Sequence, residues 1–240
     1  MILRRLSRHV KDQNWFAVAL DFLIVVAGIL IAFQITNWNE AIANRAEEAT
    51  YRQRLADDLQ DDIRRTDEMI ALYTVKQELL VKLRDGPIED LLDGDRRDAA
   101  QRLEYTVWKA LPGPRRATYD ELIGSGKLTL LTNIELRNAV SDYYSQYGRT
   151  VDILAEPIGD YRRLFAEYIP GDIPVENLTD VSDETVAKIM AGVEAMRAAP
   201  AFERAANAEI FYGRDLVNWL VIHREQAETV LSLLSDGEAP

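Results

Sequence analysis

A carboxylate inside an apolar run is the first side chain of this sequence that invites a chemical role. Asp21 lies within FAVALDFLIVVAGILIAFQI, residues 16–35. In hydrocarbon such a group pairs with a cation on a partner helix or takes up a proton. Near an edge it also reaches back toward the headgroups, and Asp21 stands about 7.5 Å from Phe16 at a helical rise of about 1.5 Å per residue. Gly28 and Ala32, four apart, form a small-xxx-small pair that admits close approach of a second helix. A second group combines aromatic faces with paired guanidinium groups: Trp108, Arg115, Arg116, Tyr119 and Tyr143. Such a set suits recognition of a carboxylate or peptide in a groove. Packed aromatics beside surface charges are its commoner use.

Other chemistry is thin. Gly124-Ser-Gly-Lys127 copies the end of a phosphate-binding loop, but Glu121 stands where the first Gly is required and Leu128 where Ser or Thr would hold magnesium. Nucleotide binding is therefore rejected. Asp57, Asp58, Asp61 and Asp62 could draw a divalent cation, yet the Gly and bidentate Glu of a calcium loop are missing, and Arg54, Arg64 and Arg65 point to a solvated, neutralised face. His223 is the only His after the apolar run, and one imidazole builds neither a zinc site nor a triad. With no Cys there is no thiolate chemistry and no disulfide. No catalytic, cofactor or metal residue is expected, and the chain is not expected to be an enzyme.

The element that positions Asp21 is a membrane span. Thirteen of residues 16–35 are Leu, Ile, Val or Phe, together worth roughly −4 to −8 kcal/mol of insertion against at most about +3 for one Asp. Twenty helical residues cover about 30 Å, the hydrocarbon thickness of a bilayer. Trp15 and Trp38 bracket the run as interface anchors. Arg4, Arg5, Arg8 and Lys11 precede it, whereas only Arg45 follows closely, so the N-terminus is expected in the cytoplasm and the body outside it. In a bacterium this places the body in the periplasm, anchored in the inner membrane. Ala41-Ile42-Ala43 allows a cleaved signal peptide instead, but its apolar region would be about 7–15 residues. The net charge of −12 is concentrated after the span, which argues against nucleic acid as a partner.

The expected fold is all-α: a basic stub (1–15), a transmembrane helix (16–36), a long amphipathic helix (37–85) and a helical bundle (86–240). Ala56, Leu59, Ile63, Thr66, Ile70, Tyr73, Gln77 and Leu80 recur in steps of three and four, a heptad-like seam that packs on the body or on a second copy. Its charged neighbours, Asp62 among them, are expected on outer faces. Thr118–Glu121 and Thr132–Glu135 have capping-box spacing and open helices. Pro157 breaks a helix carrying Leu136, Val140, Tyr144, Tyr147, Val151 and Leu154 on its apolar face, residues 170–181 form the longest loop, and Ser182 caps the helix that follows. A last helix runs over about 201–235. Residues 127–131 are the one strand candidate, and a short one.

GILIAFQITNWNE, Gly28 to Glu40, resembles the signature of a family of uncharacterised single-pass bacterial membrane proteins, a domain of unknown function whose span ends in a close variant of IGILIALQINNWNE. TYDELIGSGKLTLLTNIELRNAVSDYY, Thr118 to Tyr144, resembles that family's second block, T-Y-x-E-L-x-x-S-G followed by N-x-x-L-R and a tyrosine pair. Ala27, Thr36 and Gly124 depart from the pattern. The resemblance implies membrane attachment and a helical body, and no activity.

The expectation is therefore a membrane-anchored, extracytoplasmic helical protein that acts by binding. Its partners are the lipid bilayer and a protein, either a second copy or a subunit of a larger membrane assembly. An extracytoplasmic ligand sensor signalling through a partner is the alternative, and a hydrolase using paired carboxylates is the third reading.

Overall fold

The computed structural model describes residues 15–88, 96–110, 113–154, 159–169, 171 and 182–235. Their elements, in order, are α1 (Trp15–Asp85), α2 (Arg96–Val107), α3 (Ala117–Gly124), a 3-10 turn at Lys127–Leu130, α4 (Ile134–Leu154), α5 (Asp160–Tyr168), α6 (Asp183–Ala198) and α7 (Phe202–Ser235). The fold is all-α, and the strand candidate is the 3-10 turn. The basic stub through residue 14, Pro157 and most of the 170–181 loop lie outside the described residues, as do the side chains of Trp15, Val151 and Leu154.

The chain divides into two compact units, Met1–Tyr51 and Arg52–Pro240, with the boundary inside α1. In the first unit the apolar stretch of α1 is long enough to cross a membrane, and none of it is buried. Phe22 is 71% exposed and Trp38 66%, a surface that favours lipid over water at about 25 cal/mol per Å². Thr36 Oγ1 donates to Ala32 O at 3.1 Å, so its polar group is satisfied within the helix. At about 100° per residue, Asp21, Gly28 and Ala32 fall within about 40° of one another around α1, and all three are exposed.

In the second unit the buried stripe of α1 is Leu55, Leu59, Asp62, Thr66, Tyr73, Lys76, Leu80 and Leu83. It shares Leu59, Thr66, Tyr73 and Leu80 with the expected seam, but its other positions are one residue away. Ala56, Ile63, Ile70 and Gln77 are half-buried, and Asp62, expected on an outer face, is 4% exposed. The large side chains Leu55 and Leu83 set this register, and the polar Asp62 and Lys76 are carried into the core with them.

The body covers the stripe. Leu80 and Leu83 pack with Leu103 of α2, Tyr161 of α5, Val193 of α6 and Phe202 of α7. Tyr73 packs with Leu216 and Leu220 of α7. Two caps differ from expectation. Thr118 lies within the first turn of α3 and turns its hydroxyl to Asp58 instead of capping. Asn133, not Thr132, caps α4, its side-chain oxygen accepting from Glu135 N at 2.9 Å and Leu136 N at 3.1 Å. Ser182 caps α6 as expected, accepting from Thr185 N at 3.2 Å.

Gly192, inside α6, is explained by closeness: a Cβ there would collide with the carbonyl oxygen of Tyr168 at the end of α5. Gly192→Ala, though it raises helix propensity, is expected to lower stability by about 1–3 kcal/mol through overpacking. A shift of the urea midpoint to higher concentration would show that α5 and α6 are not this close.

Candidate functional site

Polar side chains on and beside the buried stripe of α1 share one target, the segment from Trp108 to Thr118. Lys76 Nζ donates to Trp108 O at 2.9 Å. The Tyr73 hydroxyl donates to Ala110 O at 2.9 Å and accepts from Ala110 N at 3.1 Å. Arg65 donates to Gly113 O at 3.0 Å. Asp62 accepts from Arg115 N at 2.9 and 3.1 Å, and Asp58 accepts from the Thr118 hydroxyl at 2.6 Å. The α1 numbers fall from 76 to 58 as the targets rise from 108 to 118, so the segment runs antiparallel to the helix.

Two buried charges anchor this ladder. Lys76 Nζ meets Glu209 Oε1 of α7 at 2.6 Å, and Lys109 Nζ lies 3.6 Å from the other carboxylate oxygen. Burial holds the Lys76 amine below its ordinary value, opposed by the Glu209 charge. Asp62 also takes Arg65 Nη2 at 2.6 Å and the Tyr143 hydroxyl at 3.0 Å. Burial pushes its carboxyl up, against the hydrogen bonds from Arg115 N, Arg65 and Tyr143.

Beyond Asp62 the site becomes aromatic. Tyr143 and Tyr147 of α4 face Trp219 and His223 of α7, each pair four residues apart on one helix face. His223 stacks on both Tyr143 (centroids 4.4 Å, 10° between planes) and Trp219 (5.2 Å, 9°). Tyr147 tilts against it at 4.6 Å. His223 is 3% exposed, and burial lowers its pKa to about 4, leaving a neutral imidazole at neutral pH. A cavity of about 10 Å³ lies here, lined by Asp62, Arg65, Thr66, Gly113, Pro114, Tyr143, Tyr147 and His223.

The five residues proposed as a groove separate into two places. Tyr119 stacks on Tyr144 at 4.4 Å, and the Arg116 guanidinium lies over both rings at 5.5 and 5.7 Å. Arg115 Nε pairs with Asp61 at 2.6 Å, Arg116 with Asp120 at 3.1 Å, and Tyr143 is buried on Asp62. Trp108 sits instead by Tyr73, with ring centroids 6.3 Å apart, and is 40% exposed. The carboxylates these arginines meet belong to the chain itself. Of the five, Tyr143 lines the cavity. Sequence reasoning missed Asp62, Lys76 and Glu209 as buried groups, and the only signal for the first two was their spacing of fourteen in register with Leu55 and Leu83. His223, the lone imidazole after the apolar run, is packed between rings. Among the described residues no group of three or more His, Asp or Glu could hold a metal ion.

Fold and site define an all-helical protein with one N-terminal helix long and apolar enough to cross a membrane. Residues 21–156 match the model of the family described as Family of unknown function (DUF6090), which is more than half of the chain, and the chain belongs to that family. No curated protein and no solved structure matches it.

Asp62→Ala would strand Arg115 N–H and the Tyr143 hydroxyl, and it is expected to cost about 3–5 kcal/mol in urea unfolding; a loss under 1 kcal/mol would deny the ladder its weight. For His223 the folded pKa of about 4 lies below the ordinary 6.5. The unfolded chain then binds more protons between these values, so stability is full above pH 6.5 and falls toward pH 4, by about 2 kcal/mol at pH 5. Asp62, shifted upward, acts in the opposite sense. His223→Phe keeps a stacked ring and should abolish the His-dependent loss between pH 7.5 and 5; an unchanged pH profile would assign that loss elsewhere.

Proposed function

We propose that this chain is a single-pass membrane protein whose helical body acts by binding another protein, as a homo-oligomer or as an accessory subunit of a membrane complex. The observation that carries the reading is the contrast between its parts. The apolar stretch of α1 leaves its whole surface open, including the Asp21–Gly28–Ala32 face, while the buried charges of the body are spent on its own backbone and on one another. An acid within an apolar span is by default a candidate contact for a partner or an ion.

The basic stub and the acidic body support an N-terminus in the cytoplasm and a body outside it, in the periplasm of a bacterium. No catalytic role is proposed. The sensor reading is the alternative, and the cavity at His223 offers it space for no more than a water molecule.

Native mass spectrometry of the chain taken from membranes in mild detergent tests the proposal. A stoichiometric second protein, or a discrete oligomer of this chain, is the expected result. Asp21→Asn is expected to reduce a heterologous complex at least tenfold if the acid meets a cation. A bare monomer under conditions that preserve other membrane complexes would overturn the reading.

A further inference from the structure

The cavity between α1, α4, α7 and residues 113–114 is lined by three residues that each carry a buried polar atom without a hydrogen-bond partner: Arg65 (Nε), Tyr147 (Oη) and His223 (Nε2). Tyr147 is 5% exposed and His223 3%. A buried polar atom without a partner is a standing cost, and such atoms are ordinarily met by protein or by an ordered water. Here three residues that carry one border a single space, and that space of about 10 Å³ is at the size a single water requires.

The chemistry selects the guest. It must exchange hydrogen bonds with a phenol and with the free nitrogen of a neutral imidazole, and it can accept from Arg65 Nε beside the Asp61 carboxylate. Those are two or three partners for one small molecule able to donate and accept. It must also carry no charge. The charged groups facing the cavity are Asp62 of α1 and Arg65, which pair with each other at 2.6 Å, and Asp62 is further held by Arg115 N and Tyr143 of α4. Asp61 lies 3.4 Å from Arg65 Nε and is itself paired with Arg115 at 2.6 Å. From α7 the lining contributes only His223. No surplus charge is left to offset the desolvation of an ion.

We propose that the Arg65–Tyr147–His223 cavity is a binding site for one uncharged, water-sized guest, water itself, which joins α4 and α7 to the Asp62 end of the α1 ladder. The site stands independently of the membrane-partner reading, since every group in it belongs to the body.

The test is a structure of the full chain in detergent or nanodiscs at a resolution that shows ordered water, joined to a double-mutant cycle. One density peak within hydrogen-bonding distance of both Tyr147 Oη and His223 Nε2 is expected. Tyr147→Phe and His223→Phe should each shift the melting temperature, and the double variant should shift it by clearly less or more than the sum, because a shared bridge couples them. Should either variant fail to fold, ammonium chloride against sodium chloride on the wild-type chain serves in its place, with equal melting temperatures expected. A dry cavity, a peak touching neither atom, strictly additive shifts, or selective stabilisation by ammonium would each overturn the proposal.

Discussion

The body of this protein depends on one arrangement: non-helical backbone at residues 108–110 and 113–116, met in antiparallel order by side chains of α1. Residues 108–110 and 113–116 belong to no helix, so their N–H and C=O groups need partners from elsewhere. Lys76, Tyr73, Arg65 and Asp62 supply them at helical spacing, and Asp58 takes the Thr118 hydroxyl just beyond. Each contact alone is worth about 0.5–1.5 kcal/mol, more where charge assists. Their joint effect is on register. Sliding the segment along α1 by one residue would exchange carbonyl for amide at Asp62 and leave the Lys76 ammonium without the Trp108 carbonyl. Burial of Asp62 and Lys76 makes that mismatch costly, since a stranded charge in the core costs several kcal/mol.

From the ladder the placement of the other elements follows. Arg115 and Thr118, fixed on Asp62 and Asp58, deliver the start of α3, and Tyr119 then meets Tyr144 of α4. The hydroxyl of the neighbouring Tyr143 returns to Asp62 while its ring stacks on His223 of α7. One carboxylate thus coordinates α1, the approach to α3, α4 and, through a ring, α7. Glu209 plays the same part at the other end, drawing α7 onto Lys76 and Lys109. The apolar clusters around Leu80 and Tyr73 supply burial without direction, and the two buried carboxylates supply the direction.

The family is described as one of unknown function. In the body, the buried carboxylates of Asp62 and Glu209 are met by groups of the chain itself. Its one buried imidazole is held neutral between flat rings beside a space of about 10 Å³. The apolar stretch of α1 differs in kind, with its large apolar side chains outward and Asp21 the single acid among residues 16–35.

The membrane-length helix, the all-α class and the family were determined by local sequence alone. Apolar length, the absence of Pro and Gly through most of α1, and two short blocks near Gly28 and Thr118 need no three-dimensional context to be read. Four members of the α1 stripe were legible for the same reason, because Leu59, Thr66, Tyr73 and Leu80 recur every seven residues. The other half of the stripe was decided only by tertiary structure. Asp62 and Lys76 are typical of solvated faces, and nothing nearby in sequence names Arg115, Tyr143, Trp108 or Glu209 as their partners. A charge is carried into a core when distant groups can meet it there, and that distance, 53 residues from Asp62 to Arg115 and 133 from Lys76 to Glu209, is what hydrophobic periodicity cannot see.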